Sequence, residues 1–88
     1  MKTAYQETIR LIRIEPDQFG RWMLGYWRGK TRCARPITRG DAVIRYPDKP
    51  LGREAIYALH VILGRKPTRD EEAAILDLPV GEPAPCQS

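Results

Sequence analysis

Nine basic side chains, eight of them arginine, fall between residues 10 and 45, and both tryptophans, Trp22 and Trp27, lie among them. The chemistry these residue types suit is recognition of a polyanion. A guanidinium is a planar fork that meets phosphate or carboxylate in bidentate fashion. An indole offers a flat face to a nucleic-acid base or a plug for a partner's pocket. Against the nine cations stand Glu15, Asp17 and Asp41, a local balance of +6, whereas residues 46–88 sum to −2 and the whole chain to +4. Such asymmetry can raise the local concentration of a polyanion and speed its association, and it equally suits a soluble, arginine-rich face with no polyanionic partner. The densest run, Arg28, Lys30, Arg32, Arg35 and Arg39 with Trp27 beside it, is the predicted contact surface, and Arg21 and Arg45 are secondary basic contacts. About four phosphate contacts on a duplex would give log K a slope of about −4 against log salt.

Nothing comparable points to catalysis. His60 is the only histidine and sits on an apolar helical stretch, where a packed or interface role is the simpler reading. Ser88 is the only serine, so a Ser-His-Asp arrangement has no nucleophile in the body of the chain. Cys33 and Cys86 lack metal-ligand spacing, are too few for a disulfide framework, and leave open whether they pair. Neither Gly20-to-Gly25 nor Gly64-to-Thr68 has the pattern of a nucleotide loop. No catalytic residue, metal or cofactor is assigned, and a non-enzymatic protein is expected.

The elements that must position the basic residues are read from periodicity and caps. Residues 3–13 satisfy both a helical face (Tyr5, Thr8, Ile9, Ile12) and a strand alternation, and good helix formers with no Gly or Pro favour the helix. From Pro16 to Trp27, Phe19, Trp22, Met23, Tyr26 and Trp27 follow i, i+3, i+4, i+7 and i+8, which predicts an amphipathic helix with Pro16 at its first turn. Phe19, Trp22, Met23 and Tyr26 are then the expected core. Residues 31–46 lose that period, and Asp41–Tyr46 is predicted extended, paired with residues 31–37, over the rival of one short helix capped by Thr38. Leu51–Leu63 is the clearest helix, with Ala55, Ile56, Leu59, Ile62 and Leu63 inward, Gly64 as its cap and Pro67 beyond. Thr68 and Glu71 form a capping box that opens a last helix, Arg69–Leu78, with Ala73, Ile75 and Leu76 inward.

The expected fold is therefore α+β but mostly α: one small domain over 1–79 of about four helices, with an extended segment or β-hairpin near residues 31–46. Residues 80–88 read as a flexible Pro-rich tail. Tyr57, His60 and Val61, outside the buried stripe of the third helix, mark an oligomer face for a homodimer. Residues 16–25 resemble the opening of a helix-turn-helix unit, with Asp17, Gln18, Phe19, Arg21, Met23 and Leu24 on the first helix and Gly25 in the turn. That resemblance stops at Trp27-Arg28-Gly29-Lys30, which breaks before a recognition helix forms. No run of 18 apolar residues predicts a membrane span, and the charged start has no apolar signal region, so a cytoplasmic protein is expected. The functional expectation is a small nucleic-acid-binding accessory or regulatory protein, with DNA favoured over RNA. The alternative is a protein-binding inhibitor or assembly factor of phage or mobile-element type, whose arginines meet an acidic surface on a nucleic-acid-handling enzyme.

Overall fold

A computed structural model of the chain describes residues 8–81. Three strands come first: β1 (Ile9–Pro16), β2 (Trp22–Arg28) and β3 (Thr31–Pro36), an antiparallel meander in that spatial order. Two short strands follow, β4 (Thr38–Arg39) and β5 (Ala42–Val43), and then α1 (Gly52–Leu63) and α2 (Arg69–Leu76). Over the described residues the domain is mixed α+β with two helices, not a mostly helical one. Both expected N-terminal helices are wrong where the structure describes them. Residues 9–16 and 22–28 are strands, and 17–21 are a turn, so the helix-turn-helix resemblance also fails.

The reason is legible in β2. Trp22, Leu24 and Tyr26 are buried, while Met23 and Trp27 are only partly so, a period of two. Phe19, which the helical reading needed in the core, is 63% exposed on the turn. The sequence satisfied both periods, and tertiary pairing decided between them. Asp17 holds the turn: its carboxylate accepts the backbone N–H groups of Phe19 and Arg21 at 2.8 and 2.9 Å and pairs with the Arg21 guanidinium at 2.8 Å. This i, i+4 pair spans a turn and not a helix.

Two hairpin connections have two residues each, Gly29-Lys30 and Gly40-Asp41, and in each only the glycine has positive φ (60° and 61°). A left-handed first residue followed by an ordinary one suits the twist of paired strands, and glycine adopts it without steric cost. Residues 38–43 form the small hairpin, and Ile44 N–H bonds back to Ile37 O, so the extended reading of 41–46 prevails over the helical one. The turn falls at Gly40-Asp41.

The helices follow their caps. Gly64 is left-handed at the end of α1, and Thr68 and Glu71 close the capping box of α2. α1 packs on α2 and against β3 and β4. The core joins Ile14, Trp22, Leu24, Tyr26, Ile37 and Ile44 from the strands and loops to Ala55, Ala58, Leu59, Ile62 and Ile75 from the helices. In α2 only Ile75 is buried; Ala73 and Leu76, expected inward, are exposed, because the helix ends at Leu76 and a single turn faces the core. Val80, at the head of the expected tail, pairs with Ile14 as a parallel bridge on the outer edge of β1. Residues 82–88, and Cys86 with them, lie outside the described residues.

The helix pair thus packs on one face of the three-stranded sheet, with the two-stranded β4–β5 sheet against α1. On the sheet's other face Arg10, Arg32 and Ala34 are exposed, while at one corner Gly81 lies against Arg13 and Glu15.

Candidate nucleic-acid interface on the open sheet face

Strand pairing determines which side chains share the open face. Directly opposite residues in an antiparallel pair lie on the same side, about 4.5–5.5 Å apart at Cβ. Trp27 pairs with Arg10 on β1 and with Arg32 on β3, so one row across all three strands reads Arg10, Trp27, Arg32. Gly25 pairs with Arg13 and Ala34 in the next row, and Met23 with Glu15 and Pro36 in the third. Trp27 is half-buried, Arg10 and Arg32 are exposed, and Ala34, at the centre of β3, is exposed too. The core-facing residues of β2 are Trp22, Leu24 and Tyr26, so Trp27 faces away from the helices by simple alternation.

Electrostatics on this face are graded. Arg13 Nε is 3.2 Å from Glu15 Oε1 without hydrogen-bond alignment, so that pair is a Coulombic one and cancels locally. Arg10 and Arg32 have no carboxylate partner among the described residues. The Arg32 guanidinium lies 5.9 Å from the centroid of the Trp27 ring, at the outer limit of a cation–π contact. It also lies over Gly25: a Cβ placed there would be 3.7 Å from Arg32 Nη2. Gly25 and Ala34 thus make a low floor beside the indole, and the arginine spans it.

The predicted basic surface is divided by the pleat. Trp27 and Arg32 come together on the open face. Arg28 turns to the helix side, where it lies over the Tyr26 ring at 5.8 Å and donates to Ile62 O at 3.3 Å. Arg35 sits opposite Leu24, also on the helix side. Arg39 is bound to Glu54 of α1 at 3.1 Å, and Lys30 is exposed at the hairpin tip. Of the secondary contacts, Arg21 is paired with Asp17, and Arg45 donates to Phe19 O at 3.2 Å. Arg10 is the residue that proximity in sequence missed. It enters through the β1–β2 register, seventeen positions from Trp27, and the alternation of Ile9, Arg10 and Leu11, ahead of the bulge between Leu11 and Arg13, was the signal that could have placed it.

Elsewhere the chemistry is structural. The N–H of Arg21, helped by its guanidinium, holds the Asp17 carboxyl below the ordinary carboxylate range. Glu71 is lowered to about 2, first by its side-chain hydrogen bonds from Arg65 and then by the Thr68 N–H. Among the described residues no three His, Cys, Asp or Glu side chains gather as a metal site. No helix among them is long and apolar enough to cross a membrane. Tyr57, His60 and Val61 lie on the solvent side of α1, exposed, with the Tyr57 and His60 rings 6.4 Å apart. Comparison with protein-family models, with curated proteins and with solved structures found no match to this chain.

Proposed function

We propose that the protein is a non-enzymatic nucleic-acid-binding module that takes a single strand across the open face of β1–β2–β3. The row Arg10–Trp27–Arg32 carries this reading. Base stacking on an aromatic platform flanked by cations suits single strands of any sequence, since every base has a flat face and every linkage a phosphate. The base of one nucleotide lies on Trp27, and its neighbouring phosphates meet Arg10 on one side and Arg32 on the other. A duplex hides its base faces within the stack, so the indole has nothing to stack on there, and the same face binds a duplex through charge alone.

Arg32 does not block the ring. At 5.9 Å its contact with the indole is weak, worth about 0.5–1 kcal/mol at an exposed site, and a phosphate oxygen offers a stronger charge-assisted partner. The guanidinium swings off the ring when the strand arrives.

The experiment is a fluorescence titration. Trp22 is fully buried, so quenching by a stacked base reports on Trp27 alone. A short oligonucleotide without sequence design is expected to quench it saturably, and the matched duplex to quench it far less. Stacking is worth about 1–3 kcal/mol per base, so Trp27→Ala weakens single-strand binding about 5- to 150-fold and Trp27→Phe restores most of the affinity, both read against the parent by the anisotropy of an end-labelled strand because the indole is gone. Equal quenching by strand and duplex, or full affinity in Trp27→Ala, rejects the proposal.

A further inference from the structure

The outer edge of β1 is occupied along only part of its length. Ile14 N–H donates to Pro79 O at 3.0 Å, and Ile14 C=O accepts from Gly81 N–H at 2.6 Å, so the chain itself adds a short parallel strand there. Antiparallel pairs alternate between hydrogen-bonded and non-bonded, and a residue that does not bond its partner presents its N–H and C=O to the other edge. The two-residue turn at Gly29-Lys30 makes Arg28–Thr31 a bonded pair, so Arg28 serves β3 and its β1 partner, Ile9, faces outward. Leu11, opposite Tyr26, does the same. Ile9 and Leu11 therefore offer two N–H and two C=O groups to the edge, separated from the strand already added at Ile14 by a β-bulge between Leu11 and Arg13, and no bond to them comes from other described residues.

Beside this stretch lies an open groove of about 590 Å³ between β1 and the helix pair. Its apolar wall is Ile9, Leu11, Leu59, Leu63, Ala74 and Leu78, and the Arg65–Glu71 pair closes one end. The volume is that of an ordinary ligand cleft. Arg10 also borders this groove, but strand alternation turns its side chain to the opposite side of the edge, exposed and without a carboxylate partner among the described residues.

We propose that this edge receives an extended peptide segment of another protein, with the alternation apolar, acidic, apolar. Strand addition supplies affinity through main-chain bonds and specificity through pockets for alternate side chains. Residues of the segment level with Ile9 and Leu11 point to the helix side, into the groove. The residue between them points to the open side, next to Arg10, where Asp or Glu meets its charge. A second copy of this chain is the poorer occupant. Pairing Ile9 of one copy with Leu11 of the other sets the two Arg10 side chains directly opposite, and like charges in that position destabilise the pair.

The test uses the full chain with isotopic labelling and two capped heptapeptides, one alternating valine and glutamate and one alternating valine and lysine. The glutamate peptide is expected to perturb the Ile9–Ile12 amides saturably and to slow hydrogen exchange at Ile9 and Leu11. The lysine peptide binds about tenfold or more weakly, the scale of replacing an attraction by a like-charge clash. Ala74→Glu places a carboxylate in the groove from an exposed helix position and is expected to weaken the glutamate peptide about tenfold, the cost of an unpaired charge against apolar side chains. Ile9→Pro deletes one outward N–H without touching the β1–β2 ladder, which edge positions tolerate. It weakens peptide binding as well, with thermal unfolding as the check on folding. Single-strand affinity in Ala74→Glu stays as in the parent, so failure here is separable from failure of the nucleic-acid reading. No saturable perturbation at millimolar peptide, perturbation elsewhere, or equal binding of the two peptides overturns the proposal. So does a concentration-dependent dimer that protects the same two amides, because it gives the edge to a second copy.

Discussion

Salt dependence separates the open face from the basic residues the fold turns elsewhere. On a single strand each neutralised phosphate contributes about −0.7 to the slope of log K against log salt. Arg10 and Arg32, one phosphate each, therefore supply about −1.4. Between 50 and 200 mM salt that share of the affinity falls about sevenfold. Arg10→Gln or Arg32→Gln should each flatten the slope by about 0.7, leaving a fall of about 2.6-fold from the remaining arginine. Arg39→Gln removes the same formal charge from a residue already bound to Glu54, and Arg35→Gln removes one from the helix side of β3. Both should leave the slope unchanged, although the net charge has dropped equally in all four variants. The assay is Trp27 quenching by a short single strand at four salt concentrations, with a melting curve for each variant to confirm folding. If Arg35→Gln and Arg39→Gln flatten the slope as much as Arg10→Gln and Arg32→Gln, binding follows net charge and the row has no special part in it.

Three further outcomes test the fold that holds this face. Leu24, fully buried between the sheet and the helices, should cost about 2–5 kcal/mol when cut to alanine, whereas Leu51→Ala at a 63% exposed site should stay within about 0.5 kcal/mol; chemical denaturation reads both. Gly40→Ala should destabilise by about 1–2 kcal/mol although the space around it is open, because the cost lies in its positive φ, and Gly40→Asn should recover part of it. Glu71 ionises in the folded protein near pH 2 against an ordinary value of 4.5, so its bonds to Arg65 and Thr68 stabilise fully above that ordinary value and are lost as pH falls toward 2. Glu71→Gln should therefore lower the melting temperature at pH 7, and its difference from the parent should vanish near pH 2; a difference independent of pH would show that shape, not charge, makes the contact.

The helices could be read from the sequence because their signals are local. Thr68 with Glu71, Gly64 and Pro67 fix starts and stops within a few residues, and the buried stripe of α1 needs no partner to be recognised. The strands could not, because Phe19, Trp22, Met23, Tyr26 and Trp27 fit a helical stripe while Trp22, Leu24 and Tyr26 fit a strand, and only pairing with β1 and β3 chooses. Gly29-Lys30 was the missed signal: glycine first in a two-residue connection suits a hairpin turn, although its far flank, Thr31–Pro36, carries no apolar run. The site inherited the same fault. A cluster counted along the chain places Arg28, Arg32 and Arg35 together, but the pleat sends Arg32 to one side of the sheet and Arg28 and Arg35 to the other. Trp27 and Arg32 survived as neighbours because a hairpin keeps near residues near. Arg10 required the β1–β2 register.

The open face and the core come from one constraint. A chain of this size can cover one side of a three-stranded sheet with two short helices, and its remaining described element, the β4–β5 hairpin, packs against α1. On the covered side, alternation collects Ile14, Trp22, Leu24 and Tyr26. On the uncovered side the same alternation must put residues that water tolerates, and arginine, small residues and a half-buried tryptophan meet that requirement. Solubility alone would be served as well by Lys, Glu or Thr in place of Trp27, at no cost in exposed apolar surface. The half-buried indole in the centre of this row is flanked across both neighbouring strands by Arg10 and Arg32, which have no carboxylate partner among the described residues. If Trp27→Thr binds a single strand as well as the parent, then exposure of the ring is a by-product of strand propensity and the face has no ligand to stack on it.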